Sequence, residues 1–131
     1  MNGTSVVLDS DVIIFGSKKL VDVDKLVSRY DRLYVSIISY MEVYAFDFAN
    51  SGERDLIDEI FTNLEIIDTG KDIAEHAIAY RSNKTKKIKL PDAVILATAK
   101  YLQAALMTNN LSDFQDIGPS IVIAGIDDLI V

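Results

Sequence analysis

The chain has 131 residues and no cysteine, which excludes disulfide bonds and thiolate metal sites and favours a cytoplasmic location. Its net charge of -7 argues against a nucleic-acid binder that relies on a broadly basic surface. The length suits a single domain over residues 1–131, and the sequence predicts neither a signal peptide nor a membrane-spanning segment.

The first predicted element is a short buried strand at Val6–Leu8, which leads directly into Asp9. An unbroken apolar run of this length is typical of a parallel strand that is covered on both faces. In open α/β sheets, ligands bind beyond the carboxyl ends of the strands, so Asp9 is placed where a functional carboxylate is expected. Asp11 follows two residues later. The alternative is that Ser10 or Asp11 only caps a helix that begins at Val12.

Strands and helices alternate along the rest of the chain. Apolar periodicity and turn residues predict further strands at 33–36, 65–68, 105–107 and 121–123, and helices at 21–30, 39–49, 53–63, 73–80 and 91–105. This alternation predicts an α/β fold with three layers, in which helices cover both faces of a central, mainly parallel sheet of about five strands.

Four acidic residues fall at predicted strand ends or helix starts: Asp9, Glu42, Asp92 and Asp113. In a parallel sheet such positions gather along the carboxyl edge, so the four side chains are expected to meet in one site. Each also has a local explanation, because Ser39 and Glu42 match a capping box, Asp92 suits the first turn of a helix, and Asp113 suits an Asx turn. The joint occurrence of all four favours a shared site.

The sequence resembles the PIN domain family, and specifically its VapC-like toxin ribonucleases, through nearly the whole chain. The resemblance is carried by four stretches, L-D-S-D-V-I-I, S-I-I-S-Y-M-E, I-K-L-P-D-A-V-I-L-A-T-A and M-T-N-N-L-S-D-F. It assigns catalytic and metal-binding roles to the four acids. It also implies supporting roles for a second set: Asp11, Ser36, Ser39, Thr108 and Asn109.

A site of clustered carboxylates selects a hard divalent cation, Mg²⁺ or Mn²⁺, which takes oxygen ligands. Such an ion acts as a Lewis acid and activates water, which is the chemistry that phosphodiester hydrolysis requires. The resemblance implies an endoribonuclease whose cut leaves a 3' hydroxyl and a 5' phosphate. It further implies a small antitoxin protein and a homodimer as partners.

A basic segment precedes Asp92 in this otherwise acidic chain. It contains Arg81, Lys84, Lys86, Lys87 and Lys89, which suit contacts with RNA phosphates or a solvated loop. The predicted helix at 39–49 carries four aromatic residues, more than one buried face holds easily, which favours a partner surface: Tyr40, Tyr44, Phe46 and Phe48.

Three other protein classes share parts of this pattern. A haloacid-dehalogenase-type phosphatase also has an Asp-x-Asp motif after its first strand, but the late acidic pair and a suitable lysine are missing. A receiver domain would use Asp68 and also needs a late lysine, which Gly118-Pro119-Ser120 does not supply. A non-catalytic RNA-binding module would be indicated by the loss of one of the four acids. A PIN-type RNA-processing nuclease outside a toxin–antitoxin system remains open.

Overall fold

Five short strands form the centre of the fold. The computed structural model describes residues 4–83 and 86–131, and its strands are β1 (Ser5–Leu8), β2 (Arg32–Ser36), β3 (Glu65–Ile67), β4 (Ala105–Met107) and β5 (Ile123–Ala124). They pair in the order β3-β2-β1-β4-β5, and every pairing is parallel. The fifth strand begins two residues later than predicted, because Ile121 closes a turn by donating its backbone N–H to the carbonyl of Gly118.

Helices cover both faces of this sheet. They are α1 (Ser10–Ser17), α2 (Val23–Arg29), α3 (Ile37–Tyr44), α4 (Ser51–Phe61), α5 (Lys71–Arg81), α6 (Leu90–Leu102) and α7 (Leu111–Phe114), and a short 3-10 turn follows at Asp127–Leu129. The predicted three-layer α/β/α class with a parallel five-stranded sheet is confirmed. The four-residue helix α7 was not predicted. Of the helices formed by the described residues, none has the length and apolar character needed to cross a bilayer.

The side chains of β1 alternate between the two apolar cores, as the period of a strand requires. Val7 points into the core that α5 and α6 cover, whereas Val6 and Leu8 point into the core formed with α1, α2 and α4. Helix α6 is buried over seven consecutive residues, 93–99, so it is enclosed by other elements on nearly every side. This burial fixes the position of its amino end, which carries Asp92.

Most helix starts differ from the predicted residue by one or two positions, and the differences at α1 and α3 affect the site. Helix α1 begins at Ser10 rather than at Val12, and its N-cap is Asp9 rather than Ser10 or Asp11. Helix α3 begins at Ile37 because Ser36 is its N-cap, with the Ser36 hydroxyl oxygen accepting a hydrogen bond from the N–H of Ile38. Neither cap is evident from the sequence, because Ser36 is the last residue of a strand and Asp9 directly follows one.

The end of α3 also differs from the prediction. The helix stops at Tyr44, so the four aromatic residues do not share one helix. Tyr40 and Tyr44 lie on α3 and pack against Phe61 of α4. Phe46 and Phe48 lie in the loop that follows and pack against each other. A crowded helical face is therefore no argument for a partner surface, although Phe46 remains 37% exposed.

Candidate active site

The carboxyl ends of β1 and β4 lie side by side at the middle of the sheet edge. Strand β1 has β2 on one side and β4 on the other, and Leu8 pairs with Met107 at the end of both strands. The next residues, Asp9 and Thr108, are therefore neighbours. Because the chain leaves β1 towards β2 and reaches β4 only after α6, this edge is the topological switch point at which open α/β sheets bind ligands.

Asp9 is held in one orientation by its neighbours. Its carboxylate accepts hydrogen bonds from the N–H of Ser10 at 2.8 Å and from the hydroxyl of Thr108 at 2.8 Å. Its own N–H donates to the carbonyl of Met107 at 2.9 Å. Burial raises the pKa of Asp9, the hydrogen bonds from Thr108 and Ser10 lower it, and the charge of Asp113 adds a further rise. Asp9 is thus a buried, fixed carboxylate whose other lone pairs remain available.

Asp11 lies two residues after Asp9, in the first turn of α1, and contacts the same edge. Its Oδ2 accepts a hydrogen bond from the N–H of Asn109 at 3.1 Å, whereas its Oδ1 is buried without a partner among the described residues. Burial and the charge of Asp9 raise the pKa of Asp11 to about 6. The hydroxyl of Ser39 is also buried without such a partner. Buried polar atoms without partners are uncommon in folded proteins and are typical of binding sites.

Glu42 does not form the capping box that its spacing from Ser39 suggested. Ser36 caps α3, so Ser39 is an interior residue of the helix and Glu42 lies in its second turn. The Glu42 side chain is exposed, but part of its carboxylate is desolvated. This desolvation and the charge of Asp9 raise the pKa of Glu42, and a hydrogen bond from the Ser10 hydroxyl partly opposes the rise. Glu42 therefore shares an electrostatic environment with Asp9.

Asp92 lies in the first turn of α6, where Pro91 suits the second helical position. The side chain is half-buried. Burial, followed by the charges of Asp9, Asp113 and Glu42, raises the pKa of Asp92 to about 6, against a smaller opposing effect of Lys89. A dipole contact alone would favour the ionised form and lower this pKa. The raised pKa indicates instead that Asp92 belongs to the group of acids at the sheet edge.

Asp113 is exposed, as Glu42 is, and lies on α7. The helix begins after two asparagines that contact the rest of the site. The N–H of Asn110 donates to the hydroxyl of Thr108 at 3.0 Å, and the N–H of Asp113 donates to the carbonyl of Asn110 at 3.1 Å. Asp113 raises the pKa of both Asp9 and Asp92 by its charge. Four separate elements therefore bring their acids to one edge of the sheet.

The donor set suits a hard cation, since it consists of carboxylate and hydroxyl oxygens. As placed, however, no three His, Asp or Glu side chains within residues 4–83 and 86–131 form a group that could hold a metal ion. The mutual repulsion of the four acids and the unpartnered Asp11 oxygen fit a site that is completed by a cation. The chemistry of the residues therefore fits Mg²⁺ or Mn²⁺, while the described side-chain positions do not enclose an ion.

Two of the basic side chains predicted to contact RNA instead donate hydrogen bonds to backbone carbonyls of the protein itself. Arg81 donates to the carbonyl of Ile88 at 2.7 Å, and Lys86 donates to the carbonyls of Ser112 and Gln115. Lys87 and Lys89 are exposed, and Lys89 lies close enough to Asp92 to affect its pKa. Lys84 lies outside the described residues.

Two cavities lie away from the acidic edge. One of about 570 Å³ lies between α1, α2 and α4 and is lined by Gly16, Val27 and Ile60 among others. Another of about 690 Å³ is lined by Ser5, Gln103 and Val122 at the amino ends of the strands. The four acids line neither cavity, so the candidate site is an open, charged edge rather than an apolar pocket.

Sequence reasoning missed the contribution of Ser10 and Asn110. Ser10 uses its backbone N–H to bind Asp9 and its hydroxyl to bind Glu42, and Asn110 binds Thr108 through its backbone. A small hydroxyl residue between two aspartates was a usable signal for Ser10. A backbone contact such as that of Asn110 leaves no side-chain signal in the sequence.

Comparisons with known proteins agree with this geometry. The family model of the PIN domain matches residues 6–118. The VapBC2 complex of Rickettsia felis, solved with a promoter DNA fragment, has a TM-score of 0.79 and 22% identity, with coverage of 94% of this chain and 99% of that chain. DNA-bound VapBC from Salmonella typhimurium has a TM-score of 0.78 and 24% identity, with coverage of 92% of this chain and 97% of that chain.

A toxin–antitoxin complex from Klebsiella pneumoniae has the higher identity of 30%, with a TM-score of 0.68 and coverage of 89% of this chain and 95% of that chain. The comparison with curated proteins gave no match. The family match extends from β1 beyond α7 and includes all four acids, which leaves the dehalogenase-type and receiver alternatives without support. The chain belongs to the PIN domain family.

Proposed function

We propose that this protein is a Mg²⁺- or Mn²⁺-dependent endoribonuclease and the toxin of a type II toxin–antitoxin pair. PIN domains are nucleases, and the structural neighbours are toxin–antitoxin complexes. The single observation that carries the proposal is the gathering of Asp9, Glu42, Asp92 and Asp113 at one sheet edge. Burial and the charges of neighbouring acids in this group raise the pKa of the first three. Helix capping alone does not explain why acids from four separate elements lie close enough to repel one another.

In this proposal the four acids hold the cation and the rest of the edge orients them. A bound divalent ion supplies Lewis acidity and lowers the pKa of water, which is what hydrolysis of an RNA phosphodiester requires. Thr108 and the N–H of Ser10 fix the orientation of Asp9, and Asn109 does the same for one oxygen of Asp11. The exposed amines of Lys87 and Lys89 attract the RNA backbone towards an otherwise acidic edge.

The proposed partners are an antitoxin and a second copy of the chain. The antitoxin is supported by the structural neighbours, which are toxin–antitoxin complexes. The homodimer rests on the family resemblance. An RNA-processing role without an antitoxin is the alternative, and the neighbouring reading frame distinguishes the two, because a small DNA-binding protein encoded beside this gene supports the toxin.

Cleavage of RNA by the purified protein tests the proposal. Structured and single-stranded RNA are incubated with the protein in Mg²⁺ or Mn²⁺ and then with a chelator. We expect cleavage that requires the metal and is lost in Asp9→Asn. The matched control is Asp55→Asn, which removes one exposed carboxylate near Ser17 and Lys18 at the opposite end of α1. Cleavage that persists in chelator or in Asp9→Asn refutes the proposal.

A further inference from the structure

Lys86 makes a contact that its place in a basic segment does not explain. Its ammonium group donates to the backbone carbonyl of Gln115 at 2.9 Å and to that of Ser112. These two carbonyls flank Asp113 and Phe114. The backbone N–H of Lys86 is itself fixed by the side-chain oxygen of Asn83 at 3.1 Å. A cation that was predicted to meet RNA phosphates is therefore directed at the carboxyl end of α7.

Helix α7 needs contacts of this kind because it has only four residues. One turn of helix is not stable alone, and its last carbonyl groups lack partners within the helix. The backbone leaves the helix at Gln115 and turns through a positive φ of 70° at Asp116, so the helix does not continue. A lysine ammonium is a favourable donor to such carbonyls.

Contacts at three points hold α7 in place. At its amino end, the N–H of Asn110 donates to Thr108, which also binds Asp9. In the middle, Phe114 is 1% exposed and packs into the core with α6. At the carboxyl end, the side chain of Lys86, which lies in the segment before α6, donates to the carbonyl of Gln115. Asp113 is exposed and lies between the first and second of these points, directly before Phe114.

We propose that Lys86 is a positioning residue, which ties the segment before α6 to α7 and thereby sets the place of Asp113 relative to Asp9 and Asp92. The proposal rests on the proposed function for its catalytic consequence, but the tie itself is a property of the fold. In this proposal Lys86 fixes the position of Asp113, whereas its neighbour Lys87 in the same basic segment attracts the RNA backbone.

The test compares Lys86→Met with Lys87→Met, because both remove one positive charge from the same segment. Lys87 is exposed, and no hydrogen bond to α7 is found for it in the described part of the chain. Amide hydrogen exchange of α7 is measured without metal or RNA, and two-dimensional NMR spectra verify that each variant is folded. We expect exchange at Asp113 and Gln115 to rise about tenfold or more in Lys86→Met and to stay unchanged in Lys87→Met. Lys86→Arg, which keeps the donors, restores protection.

Kinetics on RNA supply the second readout. Lys86→Met is expected to lower kcat about tenfold with little change in KM, whereas Lys87→Met raises KM and reduces the salt dependence of binding. Unchanged exchange of α7 in Lys86→Met overturns the proposal, whatever the activity. Faster exchange with kcat preserved overturns the positioning role. If wild-type protein cleaves no RNA, the proposed function fails, and the exchange comparison still decides whether Lys86 holds α7.

Discussion

Neutralising Asp92 is expected to stabilise the protein while removing its activity. The variant Asp92→Asn keeps the size of the side chain and removes the charge that burial and three neighbouring acids disfavour. A pKa raised from 3.8 to about 6 corresponds to about 3 kcal/mol of unfavourable free energy for the ionised form at pH 7. This value is an upper limit, because the side chain is only half-buried and solvent screens its interactions.

Two corrections reduce the expected effect. Screening removes about half of it, and the dipole of α6 favours a carboxylate in the first turn by about 0.3 to 1 kcal/mol. We therefore expect Asp92→Asn to raise the free energy of unfolding at pH 7 by about 1 kcal/mol. The gain resembles other stabilising changes at active sites, where function requires an unfavourable arrangement of charges.

The pH dependence gives the sign of the effect independently. The folded-state pKa lies above the unfolded value, so between pH 4 and pH 6 the folded protein binds more protons at this site than the unfolded chain. The contribution of Asp92 to stability is therefore most favourable below about pH 4 and is lost as the pH rises through about 6. The advantage of Asp92→Asn should disappear near pH 4 and be complete near pH 7.

Urea unfolding followed by circular dichroism, in chelator at pH 7 and near pH 4, measures both values. Asp55→Asn is again the control and should stay within about 0.5 kcal/mol of wild type at each pH. Saturating Mn²⁺ should stabilise the wild type, by about 2.7 kcal/mol at a hundredfold excess over Kd, and should stabilise Asp92→Asn much less. An Asp92→Asn protein that is less stable than wild type at pH 7, with no dependence on pH, refutes the reasoning.

Three further predictions concern the residues of this site, and a fourth, on the dimer, rests on the family resemblance. Asp9→Asn keeps the helix cap and should match wild-type stability or exceed it by up to about 1 to 2 kcal/mol in urea unfolding. Asp9→Ala removes the same charge but also loses the cap, so it should be about 1 to 2 kcal/mol less stable than Asp9→Asn. Thr108→Val removes the donor to Asp9 and the acceptor for Asn110, so we expect a loss of about 1 to 3 kcal/mol by the same measurement. Replacing Lys87 and Lys89 by Ser should weaken RNA binding by about 1 kcal/mol or more and reduce its salt dependence, and an unchanged salt slope in a filter-binding titration contradicts this. Sedimentation should give the mass of a dimer, and the mass of one chain that does not change when antitoxin is added contradicts the proposed assembly.

The apolar pattern was sufficient to predict the sheet because the strands are short and the three central ones, β1, β2 and β4, are largely buried. Strand β1 is an unbroken aliphatic run, and the two cores take alternate side chains from it. The same reasoning misplaced the start of α3, because Ser36 both ends β2 and caps the helix. Ser36 and Ser39 are both suitable N-cap residues in the sequence. Which of them caps the helix depends on where β2 ends, and the sequence does not define that end to the residue.

Helix α7 could not be predicted from the sequence, for a different physical reason. Its four residues have no apolar period of their own, and its position depends on Phe114 in the core and on Lys86, which lies 26 and 29 residues from the carbonyls it binds. The sequence indicated Asp113 as a site residue only through its place after a strand and through the family resemblance. Contacts between distant segments determine where that acid lies.

The four acids differ in how firmly the fold holds them, and this difference accounts for the open arrangement of the site. Asp9 is buried, with one hydrogen bond to each carboxylate oxygen, whereas Asp92 is half-buried and Glu42 and Asp113 are exposed. Like charges favour side-chain rotamers that keep carboxylates apart, and exposed acids are free to adopt them. The one fixed acid, Asp9, directly follows the central strand β1. The fold thus holds one carboxylate rigidly and leaves the remaining acids able to respond to charge, which is consistent with both the raised pKa values and the absence of an enclosed metal group among residues 4–83 and 86–131.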